Sequence, residues 1–389
     1  MIFVGIDVAS HKHDCCITSE KMEVLSSFIF ANDKAGFEKL LSEVGRFGLL
    51  TDAKIGIEST GHYSLNLQNY LSQKRLSVTL FNPLFVNLQR KAQSLRKTKT
   101  DKSDARFLAE LLAAEGSKPY QPTVSAISEL RIHTRSRFRL VQARSKLKQQ
   151  VSRLVTILFP EFPSMIWSVN QKSSYALLLE FPTAKDIANA HLTRLSNLLS
   201  EKSRGKYGKE KALQIRQAAR NSIGFDSRAT GFELQQVIRQ IHFLQEQIDA
   251  VDKEIKSIMR EIDTPILSIP GIGYILGAII ISEIGSVENF DNPGKLLAFA
   301  GLDPSTYQSG NYTATKTPMV KRGSTYLRWA LMQAARLAAY RDVTFSLYYE
   351  KKRSQGKHHF VALTHTAKKL VRVLFYLLKT GQNFAPQVG

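Results

Sequence analysis

The chain has 389 residues, 43% of them hydrophobic, with 54 Lys and Arg against 33 Asp and Glu, a net charge of +21 and an isoelectric point near 9.9. This length and apolar content predict two or three domains with buried cores and exclude a disordered chain; no apolar run approaches the roughly 18 residues of a membrane helix. The charge points to a nucleic acid as the guest rather than an anionic membrane surface.

The charge is unevenly spread. Residues 1–115 hold 15 basic and 13 acidic side chains, residues 116–260 hold 24 and 12, and residues 261–389 hold 15 and 8. That asymmetry suits a metal site on the first segment and phosphate-gripping surfaces on the others. The two cysteines, Cys15 and Cys16, are neighbours, so they cannot staple a fold and lack partners for a zinc site. The start of the chain has no basic region of a signal peptide. A cytoplasmic protein without a membrane partner is expected.

In chain order, strands are predicted at Ile2–Val8, Cys15–Thr18, Val24–Phe30, Lys54–Glu58 and Ser77–Phe81, with helices at Ala35–Val44 and Leu65–Gln73. Three strands in succession followed by two crossovers describe an α/β layer with a mixed sheet. Helices then follow at residues 85–97 and 103–114. Four carboxylates stand out. Asp7 ends the run Ile2-Phe3-Val4-Gly5-Ile6, and Glu58 ends Ile55-Gly56-Ile57. Asp101 and Asp104 lie three apart at a helix start. A buried strand does not normally end in an acid unless a cation meets it. Four hard oxygen ligands suit Mg²⁺, and two such ions can clamp a phosphodiester.

A long helix is predicted over Ile127–Leu158. It carries Arg131, Arg135, Arg137, Arg139, Arg144, Lys146, Lys148 and Arg153 against the single acid Glu129. Such a run repels itself unless phosphates neutralise it, so Arg131, Arg135, Arg139 and Lys146 are expected to contact a nucleic-acid backbone. Residues 160–228 look helical and carry no recognisable chemistry. Residues 234–262 hold a heptad with Leu234, Ile241, Ile248, Ile255 and Ile262 at a, and Val237, Leu244, Val251 and Ile258 at d. Nine aliphatic seam positions predict a coiled coil, paired either with the basic helix of the same chain or with a second subunit.

The segment Ile269-Pro270-Gly271-Ile272-Gly273 resembles a helix-hairpin-helix turn, whose Gly271 and Gly273 would let backbone N–H groups approach a phosphate. Further on lies Ala300-Gly301-Leu302-Asp303-Pro304-Ser305, then Gln308-Ser309-Gly310-Asn311, then the basic Lys316, Lys321 and Arg322. A serine beside glycine and near cations can act as a nucleophile on phosphorus, although a Ser-Gly pair is more often only a turn. The domains read as 1–120, 121–262 and 263–389. The last of these is mainly helical, with helices at 325–340 and 360–379.

These motifs, in this order, resemble the insertion-sequence 110 family of transposases, the bridge-RNA-guided DEDD recombinases. The matching residues are Gly5-Ile6-Asp7-Val8, Ile57-Glu58-Ser59-Thr60-Gly61 and Lys99-Thr100-Asp101-Lys102-Ser103-Asp104-Ala105 at one end. At the other they are Ile269 to Gly273, Ala300 to Pro304, Ser309-Gly310, Lys321-Arg322-Gly323 and Tyr326-Leu327-Arg328. The resemblance implies a RuvC-like (RNase H-like) N-terminal domain whose Asp7, Glu58, Asp101 and Asp104 hold Mg²⁺. It implies coiled-coil helices next, and a C-terminal transposase domain whose Ser309 attacks DNA covalently. It also implies a structured guide RNA, target and donor double-stranded DNA, a dimer-to-tetramer assembly that joins acids and serine from different subunits, and a prokaryotic, nucleoid-associated setting. The family often has Ser-Ser-Gly-Gly at the nucleophile; Gln308 replaces the first serine here, which leaves Ser309 as the choice and Ser305 as a minor rival. The alternatives are a metal-dependent nuclease or junction resolvase without a covalent intermediate, and a non-catalytic RNA-binding protein. A protein–DNA adduct separates the three.

Overall fold

The computed structural model describes residues 1–59, 62–93, 101–114, 125–305, 308–309, 312–313 and 318–386, with the side chains of Leu84, Gln93, Asp101, Ser125, 308–309 and 312–313 outside the description. Two compact units result, Met1–Thr123 and Val124–Gly389. No helix among the described residues is long and apolar enough to cross a membrane.

The first unit is built on five strands, β1 (Ile2–Val8), β2 (Lys12–Thr18), β3 (Val24–Ala31), β4 (Ala53–Glu58) and β5 (Val78–Phe81), in the order β3-β2-β1-β4-β5. The first three form an antiparallel meander, and β4 and β5 join parallel to β1. The helices are α1 (Lys34–Gly45), α2 (Leu65–Gln73), α3 (Pro83–Gln93) and α4 (Asp101–Ala114). This is the mixed sheet read from the sequence. The largest difference is in β2, which begins at Lys12 rather than Cys15; the other strand ends agree to within one residue. The expected helix from residue 85 is described only as far as Gln93, and Thr60, Gly61, Lys99 and Thr100 lie outside the described residues.

Period-two alternation divides the side chains between two cores. Ile2, Val4, Ile6, Ile17, Ile55 and Ile57 pack with Leu40 and Val44 of α1 and Leu67 and Leu71 of α2. Phe3 and Phe81 pack on the other face with Val86 of α3 and Phe107, Leu108, Leu111 and Leu112 of α4. That second face depends on glycine. A Cβ on Gly5 would lie 2.0 Å from the Ala105 carbonyl oxygen and 2.5 Å from the Ala109 nitrogen. Gly5 therefore lets α4 lie directly on β1.

The second unit contains two 34-residue helices, α5 (Ser125–Leu158) and, after four intervening helices, α10 (Arg228–Glu261). They run antiparallel within the chain, joined by Arg137 to Asp252, Arg144 to Gln245, and Arg153 to Glu233. Of the heptad a positions, Leu234, Ile241, Ile248 and Ile255 are buried, while Leu244, Val251 and Ile258 at d are half-buried. Within the chain, α10 lies along α5. Between them, α6 (Lys172–Glu180), α7 (Ala184–Asn189), α8 (Leu192–Ser203) and α9 (Lys209–Arg220) pack on one end of the pair, placing Phe159, Phe162, Leu178, Leu195 and Ile215 against Leu234, Val237 and Ile241. At the other end, Leu130, Ile255 and Met259 join a core made by α11 (Tyr274–Ile284), α12 (Pro293–Phe299), α13 (Thr325–Arg341), α14 (Val343–Ser354) and α15 (His359–Thr380).

Candidate active site and nucleic-acid interface

In the first unit, Ile6 pairs with Ile57 across the parallel β1–β4 ladder, so Asp7 and Glu58 occupy the next positions on neighbouring strands. Alternation puts Asp7 on the face of Phe3 and Gly5, and Glu58 on the face of Lys54 and Gly56. This is the face that α4 covers, since Gly5 meets Ala105 and Gly56 meets Leu112. Asp104 is buried on α4 next to Ala105, with Arg90 Nη2 3.1 Å from its Oδ1. Asp101 is the first residue of α4, one turn earlier; its side chain lies outside the described residues. Among the described residues, no three His, Cys, Asp or Glu side chains close on one point tightly enough to hold a metal ion.

A further carboxylate belongs with these. Asp14 stands directly opposite Asp7 in the antiparallel β1–β2 ladder, and directly opposed residues share a face. The sequence reading missed it because it began the second strand one residue too late to include Asp14. Like charges so placed destabilise a ladder unless a cation accompanies them. Cys16 alternates onto the same face, but burial pushes its thiol up, with Arg106 acting the other way. A neutral thiol is a poor metal ligand. The donor set of this face is therefore carboxylate oxygen, which suits Mg²⁺.

In the second unit, Ser309 lies in β6 (Gln308–Ser309), paired with Tyr312 of β7 (Tyr312–Thr313). Gly310, Asn311 and Lys316 lie outside the described residues. At the base of this hairpin, Pro304 bridges to Met319, Ser305 N donates to the Pro318 carbonyl at 2.9 Å, and Val320 N donates to the Asp303 carbonyl at 2.8 Å. Two glycines lock the flanks. Gly323 has φ +115°, and a Cβ there would meet the Phe299 carbonyl oxygen at 2.1 Å; at Gly301, with φ +65°, it would meet the Arg322 carbonyl oxygen at 2.6 Å. Lys321 and Arg322 are exposed beside this base.

The basic helix differs from expectation. Arg131 Nε donates to the Ser282 carbonyl at 2.6 Å, and Arg135 grips Glu283 at 2.7 and 3.0 Å. With Arg137, Arg144 and Arg153 bound to α10, much of the charge run is met by acceptors of the chain itself. Arg131 and Arg135 thus bond to α11 within the chain, Arg131 to a neutral carbonyl and Arg135 to a carboxylate, while Arg139 and Lys146 remain exposed. Glu283 is buried and also accepts from Ser324 Oγ at 2.7 Å, the residue that caps α13. Its pull holds the Arg135 guanidinium above its ordinary value. A readable signal existed: Glu283 is the one acid in the apolar stretch Tyr274–Ile284, and such an acid demands a buried partner.

Gly271 has φ +98° and packs on α13, where a Cβ would lie 2.8 Å from Leu337 Cβ. Gly273 caps α11 with no side-chain hydrogen bond, and a Cβ there would meet nothing. Gly271 therefore shapes the turn, and the open helix start is at Gly273.

An acid-bearing α/β unit and a basic helical unit with a serine hairpin define a DNA-strand-transferring enzyme once the relatives are added. Residues 4–160 match the DEDD transposase family model, and residues 263–350 match that of the transposase IS116/IS110/IS902 family. The chain belongs to this IS110 family of transposases, enzymes that cleave and transfer DNA. The uncharacterized 44.8 kDa protein of insertion element IS116 from Streptomyces clavuligerus is 26% identical, over 99% of this chain and 96% of its own. The pilin gene-inverting protein of Moraxella bovis is 20% identical over 99% and 98%. The transposase for insertion sequence element IS1328 of Yersinia enterocolitica is 29% identical over 37% and 44%. Among solved structures, T. thermophilus RuvC in complex with Holliday junction substrate covers 31% of this chain and 99% of its own, at 12% identity and a TM-score of 0.23.

Proposed function

We propose that this transposase is an RNA-guided DNA recombinase that cuts and rejoins strands through a covalent Ser309–DNA intermediate. The observation that carries the acidic half is the placement of Asp7 and Glu58 on adjacent parallel strands, on the face crossed by the helix of Asp101 and Asp104. Those four carboxylates would hold Mg²⁺, which when bound supplies Lewis-acid stabilisation of charge on a phosphodiester. The Ser309 hydroxyl attacks phosphorus, gives up its proton, and expels one DNA hydroxyl end. A hydroxyl end of the partner duplex then attacks the phosphoserine and restores the serine. Lys321 and Arg322 offset charge on the phosphate. Gly273, at the helix-hairpin-helix-like turn, offers backbone N–H groups to a second phosphate, and Arg139 and Lys146 supply further backbone contacts.

A guide RNA would select target and donor, leaving the protein to read backbone and shape. Two duplexes require several active sites, so dimers pairing into a tetramer fit the reaction. A relative named for inverting a pilin gene supports a recombination outcome. The test is denaturing electrophoresis of protein–DNA adducts. Ser309→Ala should bind RNA and DNA and form no adduct and no recombinant. Normal recombination by that variant with loss in Ser305→Ala would reassign the nucleophile. Activity in both would leave the metal-dependent nuclease reading.

A further inference from the structure

Beyond Glu350 the chain has no acidic residue, while Lys351, Lys352, Arg353, Lys357, Lys368, Lys369, Arg372 and Lys379 follow. Four of these have partners within the chain: Lys352 Nζ donates to Gln355 Oε1 at 3.1 Å and Arg353 to the Lys357 carbonyl. Lys379 pairs with Glu288, and Lys369 Nζ donates to the Thr344 carbonyl at 3.2 Å and lies 5.1 Å from the Tyr348 ring centroid. Lys352, Lys357 and Lys368 bear on His365, and Arg372 on Lys368. His365, Lys368 and Arg372 are spaced three and four apart on α15, which places them on one face of that helix. The adjoining helix α14 is held to α15 by Tyr349 Oη and His359 Nδ1 at 2.7 Å, and Lys352 lies one turn beyond Tyr349. Lys357 sits in the connection, where its carbonyl accepts from Arg353 Nη1 at 2.7 Å.

These cations feel one another. Burial holds the His365 imidazole below its ordinary value, and Lys352, Lys368 and Lys357 lower it further. Burial also lowers the Lys368 ammonium, Asp303 acts the other way, and Arg372 adds to the lowering. Asp303 is the residue whose carbonyl closes the base of the Ser309 hairpin. The contrast with α5 is instructive. There a denser run of bases meets Asp252, Glu233 and Glu283 from neighbouring helices. On α15 the crowded cations have Asp303 as the acid that bears on them. Holding like charges together costs stability, and an anion from outside relieves it.

We propose that the face of α14 and α15 centred on His365, Lys368 and Arg372 binds the phosphodiester backbone of a nucleic acid beside the base of the Ser309 hairpin. The half-buried Lys368 offers a point charge already in place, and exposed Arg372 offers a planar fork for phosphate oxygens. The proposal rests on the recombinase reading only for why a strand should pass there.

The experiment is fluorescence anisotropy of the full chain with a labelled duplex DNA and, separately, a labelled single-stranded RNA of arbitrary sequence, over a salt series. Lys368→Gln with Arg372→Gln should reduce the slope of log K against log salt by about 1.8 for duplex DNA or about 1.4 for RNA, from ~0.9 and ~0.7 per phosphate contact. The arm that changes identifies the nucleic acid. Arg372→Lys, which keeps the charge, should keep the slope. An unaltered slope in both arms, with circular dichroism showing a folded double variant, overturns the proposal. Because this readout needs no strand cleavage, its failure is separable from failure of the Ser309 adduct test.

Discussion

Removing either partner of the Arg135–Glu283 pair should destabilise the second unit, and the two removals should be unequal. Glu283 accepts three hydrogen bonds, two from Arg135 and one from Ser324, and its side chain is 2% exposed, whereas the Arg135 side chain is 42% exposed. Breaking a buried ion pair costs about 3–5 kcal/mol when it strands a charge. Glu283→Ala does not fully strand one, because the Arg135 guanidinium can turn to water, so a loss of about 2–3 kcal/mol is expected, part of it from the weakened Ser324 cap. Arg135→Met leaves a carboxylate in the core with only Ser324 as donor, and should cost the full ~3–5 kcal/mol. Glu283→Leu combined with Arg135→Met should recover much of that loss. Urea denaturation followed by circular dichroism gives each value, read from the transition of the second unit so that the first does not blur it. Equal losses, or a larger loss for Glu283→Ala, would refute the assignment of burial to one side of the pair. A loss below about 1 kcal/mol for Arg135→Met would show that the pair is not formed in solution.

Two further outcomes concern the first unit. Burial holds the His13 imidazole below its ordinary 6.5, with Asn32 acting the other way. The sign follows from proton binding: above 6.5 both states are neutral, and below it the unfolded chain binds the proton more readily. Stability should therefore fall as pH drops from about 6.5 through the folded value, and His13→Leu should flatten that dependence; a wild-type stability that rises on acidification refutes it. Asp14→Asn removes one carboxylate from the face that Asp7 shares. It should shrink the melting shift caused by Mg²⁺, read by thermal denaturation with and without the ion, and an unchanged shift would exclude Asp14 from the donor set.

The sheet was legible because its signals are local. Ile2–Val8 and Ala53–Glu58 are buried on both faces and read as continuous apolar runs, each closed by an acid. Helix α2 was read to the residue. Asp14 was not legible, since only the ladder register brings it opposite Asp7, and register is a non-local fact. The internal partners of the α5 arginines were not legible for the same reason. A helix sequence shows its own charges and not the acids that another helix, more than a hundred residues away, will place against them: Arg137 meets Asp252 and Arg135 meets Glu283. The correction works in both directions. Once α10 and α11 are known to neutralise α5, a run of bases is evidence for nucleic acid only where the folded chain leaves it without matching acids. By that criterion Arg135, matched by Glu283, differs from Lys368 and Arg372, a difference that composition alone does not show.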